Sequence, residues 1–161
     1  FEKLGLRVGL IDLATLAAFN ALRLEGLIDG SGTRDIALLM ATKAYFALVI
    51  LRGGRLIFYR AKNYHVQGGF QGEESLRVVG RELRTSLSYY EEHLLGEGLS
   101  RIHLAVVGVD AEQIAEVCQG AGVGEINQIA LGKKVVELKD LGPTEAAELL
   151  PTLGLALRRE P

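Results

Sequence analysis

The sequence contains a single cysteine, Cys118, and so can form no internal disulfide. That predicts a reducing, cytoplasmic setting, because domains held by disulfides belong to oxidising compartments. No apolar stretch approaches the roughly 20 residues needed to cross a bilayer, which predicts no direct membrane span. The first residues lack the basic start, apolar run and small-residue cleavage site of a signal peptide. There is no excess of positive charge either. The formal net charge is −2, which gives no electrostatic footprint for nucleic acid or an anionic membrane surface. Low-complexity tracts and repeats with a period of roughly 20–50 residues are also missing, which excludes linkers and solenoids.

What remains is an ordinary globular balance. The chain has 161 residues, of which 48% are hydrophobic and 24% charged. That length suits one domain or one lobe of a two-lobed protein, with enough apolar surface for a real core. Because the chain starts at Phe1 without an initiator Met, residues 1–161 are expected to be a single lobe excised from a longer protein.

Arg7–Ile11 reads as a short strand, with Asp12 offering an N-cap oxygen to a helix over Leu13–Leu24. Leu13, Leu16, Ala17, Ala21 and Leu24 recur at helical spacing. Three strands follow. Ile36–Ala41 is almost wholly apolar, as a strand buried on both faces should be. Ala44–Leu51 is rich in aromatic and β-branched residues. Gly53-Gly54 then suits a tight hairpin into Leu56–Ala61. Two hairpins in a row predict an antiparallel meander. A long helix, Glu73–Leu95, carries the apolar stripe Leu76, Val79, Leu83, Leu87, Tyr90 and Leu94, and its acidic start favours the helix dipole. Ile102–Val107 is a fourth strand, and Asp110 caps a helix over Ala111–Gln119. Glu125–Ala130 and Lys134–Leu138 are further strand candidates. Pro143 precedes a last helical region, which Pro151 is expected to interrupt or restart. A meander followed by helix–strand–helix predicts an α/β, ribonuclease-H-like mixed sheet with flanking helices.

The chemistry-bearing residues mostly read as structural. His65, His93 and His103 lack metal-ligand spacing. Cys118 has no neighbouring cation in sequence to activate its thiol. Ser86 and Ser88 lie inside a helix without a nucleophile elbow. Tyr89 and Tyr90 are both expected to pack in the core. Gly68-Gly69 and Gly120-Ala121-Gly122-Val123-Gly124 are followed by no Gly-Lys-Ser/Thr, so neither is a Walker loop. The first reads as a loop and the second as a helix C-cap. In the turn Ala41-Thr42-Lys43, a hydroxyl, an ammonium and backbone amides could meet a phosphate, although a plain hairpin turn accounts for it more simply.

Four segments, taken in chain order, resemble the second lobe of the PilM family. These are Gly9-Leu10-Ile11-Asp12 with Leu16 to Leu22, and Ile36 through Arg60 with Gly54, Leu56 and Phe58. The third is Gly80-Arg81-Glu82-Leu83-Arg84-Thr85-Ser86 with Tyr89-Tyr90, and the last is Leu153-Gly154-Leu155-Ala156-Leu157-Arg158. That family comprises actin-like cytoplasmic proteins of type IV pilus assembly, related to the cytoplasmic part of the secretion protein GspL. The resemblance implies an actin-like fold and a scaffold role in a pilus or secretion platform, at the inner face of the inner membrane. It also implies a PilN-like cytoplasmic peptide as partner, beside a missing first lobe. Two departures bear on nucleotide. Where actin-like lobes carry an Asp-x-Gly phosphate turn, this chain reads Met40-Ala41-Thr42-Lys43. Where the family has a Gly-Gly pair after the fourth strand, only Gly108 is left. Ala41, Thr42, Lys43 and Gly108 are therefore read as degenerate nucleotide-loop positions. No cofactor is expected for this chain alone, while ATP with magnesium belongs to the full-length protein if to either. The competing reading is one lobe of a nucleotide-cleft ATPase or sugar-kinase-type phosphotransferase. Tyr64 and Phe70, aromatics in a polar Gly-containing stretch, are the candidates for partner contact.

Overall fold

The computed structural model describes residues 13–28, 34–43, 45–63, 73–132 and 136–156. The expected strand at Arg7–Ile11 and the loop around Gly68-Gly69, including His65, lie outside the described residues. The first described element is helix α1, Ala14–Leu24, whose N-cap position is taken by Leu13 with no side-chain cap. The oxygen expected from Asp12 lies outside the described residues too.

Strands β1 (Asp35–Thr42), β2 (Tyr45–Arg52) and β3 (Arg55–Asn63) form the expected antiparallel meander. Gly53 and Gly54 close the second hairpin with φ of 54° and 72°. Two positive φ values in a two-residue loop match the right-handed twist of the strands, and glycine adopts them without a Cβ clash. Helix α2, Glu73–Leu94, leads to β4, Leu99–Val107, which pairs with β1 in parallel. Helix α3, Ala111–Gly120, leads to β5, Glu125–Gln128, which adds in parallel to β4. Helix α4, Pro143–Ala156, is the last described element. The order of the described strands is β3-β2-β1-β4-β5, and among them only β2 runs against the rest. This is the ribonuclease-H-like mixed sheet that the meander and the following helix–strand–helix order predict.

The strands are apolar on both faces because both faces are covered. Ala37, Leu39 and Ala41 of β1, with Phe46, Leu48 and Ile50 of β2, face Val79, Leu83, Leu87 and Tyr90 of α2 and Ile114 and Cys118 of α3. The alternate residues Leu38, Met40, Ala47, Val49 and Leu51 face Ala18, Ala21 and Leu22 of α1 and Ala146, Ala147 and Leu150 of α4. The side-chain period of two thus divides one apolar run between two cores.

Several expectations change. β5 stops at Gln128 rather than reaching Ala130, and Ile129 turns in against the α1–α4 side. Of the expected strand Lys134–Leu138, residues 134 and 135 lie outside the described residues, and the rest, Val136–Leu138, is a turn of 3-10 helix that packs Leu138 on the α1–α4 core. Pro143 is the first residue of α4 rather than lying before it, and Pro151 does not interrupt that helix. Proline at a helix start gives up only an amide that has no intrahelical partner. The interior proline is tolerated because α4 is clamped along α1, where the Gly154 backbone approaches the Ala17 carbonyl so closely that no Cβ would fit.

Candidate functional site

Ala41, Thr42, Lys43 and Gly108 come from two strands far apart in sequence, and the sheet brings them together. Thr42 at the end of β1 lies in register with Val107 at the end of β4, so the residues after both strands share one edge. In an open α/β sheet, this carboxyl end of the parallel strands is where ligands bind. Ala41 is fully buried in the core and offers only backbone. The Thr42 hydroxyl accepts a hydrogen bond from the Tyr45 amide at 3.1 Å, which closes the turn into β2. Gly108 has φ of 69°, and a Cβ built on it would lie 2.9 Å from Lys43 Cε. The Lys43 side chain therefore runs across the one glycine left in the second loop. Asp110, the nearest acid after β4, caps α3 by accepting from the Glu112 and Gln113 amides at 2.9 and 3.2 Å.

This edge offers one ammonium and turn amides, a set suited to an anion. It does not fit magnesium, because neither Ala41, Thr42, Lys43 nor Gly108 is a carboxylate that could hold the ion's water shell. Among the described residues no group of three or more His, Cys, Asp or Glu could hold a metal. Tyr64 and Phe70 lie outside the described residues.

The remaining residues sort by burial. Cys118 is fully buried, and desolvation pushes its thiol up to about 12, well away from a reactive thiolate. His103 is buried in β4, while His93 is exposed on α2 and stacks on Tyr89 with ring centroids 4.5 Å apart. The Gly120–Gly124 stretch does cap α3: the Gly122 amide donates to Gln119 and the Val123 amide to Cys118. Tyr89 corrects the expectation of core packing. It is 48% exposed, whereas Tyr90 is fully buried. One step along a helix turns a side chain by about 100°, and that places Tyr89 outside the stripe.

Of the three buried carboxylates among the described residues, Glu25, Asp35 and Glu82, the last two form ion pairs that were not legible as sites. Glu82, on the inner shoulder of α2, accepts from Arg60 Nη2 and Lys62 Nζ of β3, both at 2.6 Å. Burial pushes its pKa up, but the hydrogen bonds from Lys62 and Arg60 outweigh that, and the carboxyl titrates below its usual range. Asp35, at the start of β1, accepts from Arg52 Nε and Nη2 and from the Tyr90 hydroxyl at 2.6 Å. Its burial raises the pKa, but the Arg52 and Tyr90 hydrogen bonds lower it by more, for a net depression. Arg52 also donates to the Leu94 and Leu95 carbonyls at the end of α2. Both carboxylates brace a helix against the sheet. A signal for the first existed: Glu82 stands three residues after Val79 and four before Ser86, inside the apolar stripe, and Arg60 and Lys62 alternate on one face of β3.

The sign of the resulting pH dependence follows from the depressed values. Each carboxylate adds stability that is fully present above its unfolded pKa of about 4 and lost as pH falls through the lower folded value. Chemical denaturation should therefore show stability declining as pH drops below about 4. A Glu82→Gln variant should show a shallower acid slope. An unchanged slope would mean that Glu82 is not ion-paired in solution.

No protein-family model matches the chain, and no curated protein matches it. Among solved structures, a PilM–PilN type IV pilus biogenesis complex is similar, with a TM-score of 0.63 and 16% identity over 96% of this chain. The match covers 55% of that chain, so the present sequence spans a little over half its length. A protein of actin-like ATPase fold and unknown function from Bacteroides thetaiotaomicron gives a TM-score of 0.44 at 12% identity, covering 86% of this chain and 42% of its own. The ethanolamine utilization protein EutJ from Carboxydothermus hydrogenoformans gives 0.43 at 14%, covering 68% and 47%. At such identities likeness speaks for architecture, and the strand order, the lone antiparallel β2 and the helices on both faces make this chain an α/β protein of the ribonuclease-H-like, actin-like fold.

Proposed function

We propose that this chain is one lobe of a non-catalytic scaffold in a pilus or secretion assembly platform, which docks a PilN-like cytoplasmic peptide of an inner-membrane partner. The observation that carries the reading is the Thr42–Lys43 turn. Its hydroxyl accepts from the Tyr45 amide, its lysine lies over Gly108, and it has no carboxylate for magnesium. A lobe that keeps its core while its phosphate turn lacks catalytic groups is suited to recognition by surface. The fold likeness to a PilM–PilN complex supplies the class of partner. No described helix is long and apolar enough to cross a membrane, which is consistent with attachment through partners. The first lobe expected beside this one, and the location at the inner face of the inner membrane, are parts of the same proposal.

The second reading, a lobe of a nucleotide-cleft ATPase or phosphotransferase, has one observation in its favour. Lys43 and Gly108 meet at the carboxyl end of two parallel strands. Calorimetry separates the two. This chain should bind Mg·ATP no more tightly than about millimolar, near −4 kcal/mol, and should bind a PilN-like cytoplasmic peptide measurably. Tyr64→Ala and Phe70→Ala should weaken that peptide about tenfold, or roughly 1.4 kcal/mol. Micromolar Mg·ATP with no peptide binding would instead make the chain half of a nucleotide site.

A further inference from the structure

The outer edge of the meander is unusual in charge. Between Asp35 and Glu73 the sequence has no acidic residue, but it has Lys43, Arg52, Arg55, Arg60 and Lys62. Three of these cations lie on β3, the terminal strand of the sheet, and no described strand pairs with its outer side. β3 is exposed along most of its length: Leu56 is 45% and Tyr59 38% accessible. Behind it, one carboxylate, Glu82, serves Arg60, Lys62 and, at 3.7 Å, Arg81. A single negative charge among three positive ones leaves the edge cationic. Phe58 packs on exposed Tyr89 with ring centroids 5.8 Å apart, so an apolar ridge runs beside the cations.

We propose that β3 accepts an added strand from an acidic, extended segment of another protein. The unpaired backbone groups of an edge strand give such an addition its hydrogen bonds, and side chains give it selectivity. Carboxylates on the incoming strand would meet Arg55, Arg60 and Lys62, and its apolar residues would meet Leu56 and Tyr59. A second copy of this chain is disfavoured as occupant, since its β3 brings the same cations and no acid to the seam. The inference goes beyond the scaffold reading and does not need it. Cations on an edge also keep copies of a protein apart, but that role confers no affinity for an acidic strand.

The test uses two synthetic peptides, one alternating glutamate with valine and one alternating lysine with valine. The expected result is that the glutamate peptide binds the chain at least about tenfold more tightly, roughly 1.4 kcal/mol, and weakens as salt is raised. Its binding should slow amide hydrogen exchange along Arg55–Asn63. Arg55→Glu should lower the affinity about tenfold while melting stays near wild type, and Arg55→Ala should fall between. Failure of both peptides to bind, equal binding of the two, or protection elsewhere than β3 would overturn the proposal. Binding of a PilN-like peptide with no change at β3 would leave the scaffold reading standing and remove this one.

Discussion

Leu83→Asp should abolish cooperative melting. Leu83 is fully inaccessible and lies where α2 meets β1 and β2. Losing its burial costs about 1.5–3 kcal/mol. Forcing a carboxylate into the same space, with Val79, Leu87, Leu39 and Leu48 in the same apolar core, adds the larger cost of an unpaired charge. Native domains hold a margin of only about 5–15 kcal/mol. Leu83→Ala is the comparison: it removes volume without adding charge, costs on the order of 2–5 kcal/mol, and should still fold with a lower melting temperature. Circular dichroism on heating reads both. A soluble Leu83→Asp variant with a sharp transition would show that α2 presents a different face to the sheet.

The second large effect is expected on the opposite face. Gly154 is buried against α1, and a Cβ there would overlap the Ala17 carbonyl and come within 3.1 Å of the Ala21 amide nitrogen. Backbone cannot rotate out of the way as a side chain can, so α4 must move off α1. Gly154→Val should cost roughly 1–3 kcal/mol or more, as overpacking of a filled core does. Gly154→Ala should also destabilise, even though alanine is favoured over glycine inside a helix by about 1 kcal/mol. Gly120→Ala is the control, because nothing lies within 4 Å of the position a Cβ would take. Equal melting of the Gly154→Ala and Gly120→Ala variants would refute the close approach of the two helices.

The fold was legible where apolar pattern alone decides it. The runs at β1 and β2 are continuous because both faces are covered, and their observed limits differ from the expected ones by a residue at either end. The stripe of α2 identifies its buried face down to Tyr90. Legibility failed where neighbours decide. Lys134–Leu138 looked strand-like, but its described part, Val136–Leu138, is a 3-10 turn that delivers Leu138 to the second core. Pro151 looked like a break, but packing along α1 overrides local propensity. The candidate site was legible in part. Thr42, Lys43 and Gly108 could be singled out one by one, but their meeting depends on β1 lying beside β4. The same is true of the carboxylate braces, since Asp35, Arg52 and Tyr90 share a point only once the register of three elements is set.

β1 is the middle strand, and its two sides are completed at different times. Its antiparallel partner, β2, begins just after the Thr42–Lys43 turn and can close a hairpin locally. Its parallel partner, β4, arrives only after β2, β3 and all of α2 have been made. Closing that long loop has to precede any contact that rewards it, so the parallel pairing is expected to follow the hairpins. As the chain emerges during synthesis, the Ile36–Ala41 backbone therefore waits with one open side, flanked by some of the most apolar residues in the protein. An unpaired apolar strand of this kind is a template for strands from other molecules. A segment that is well hidden in the finished protein is thus exposed to aggregation until α2 and β4 close over it.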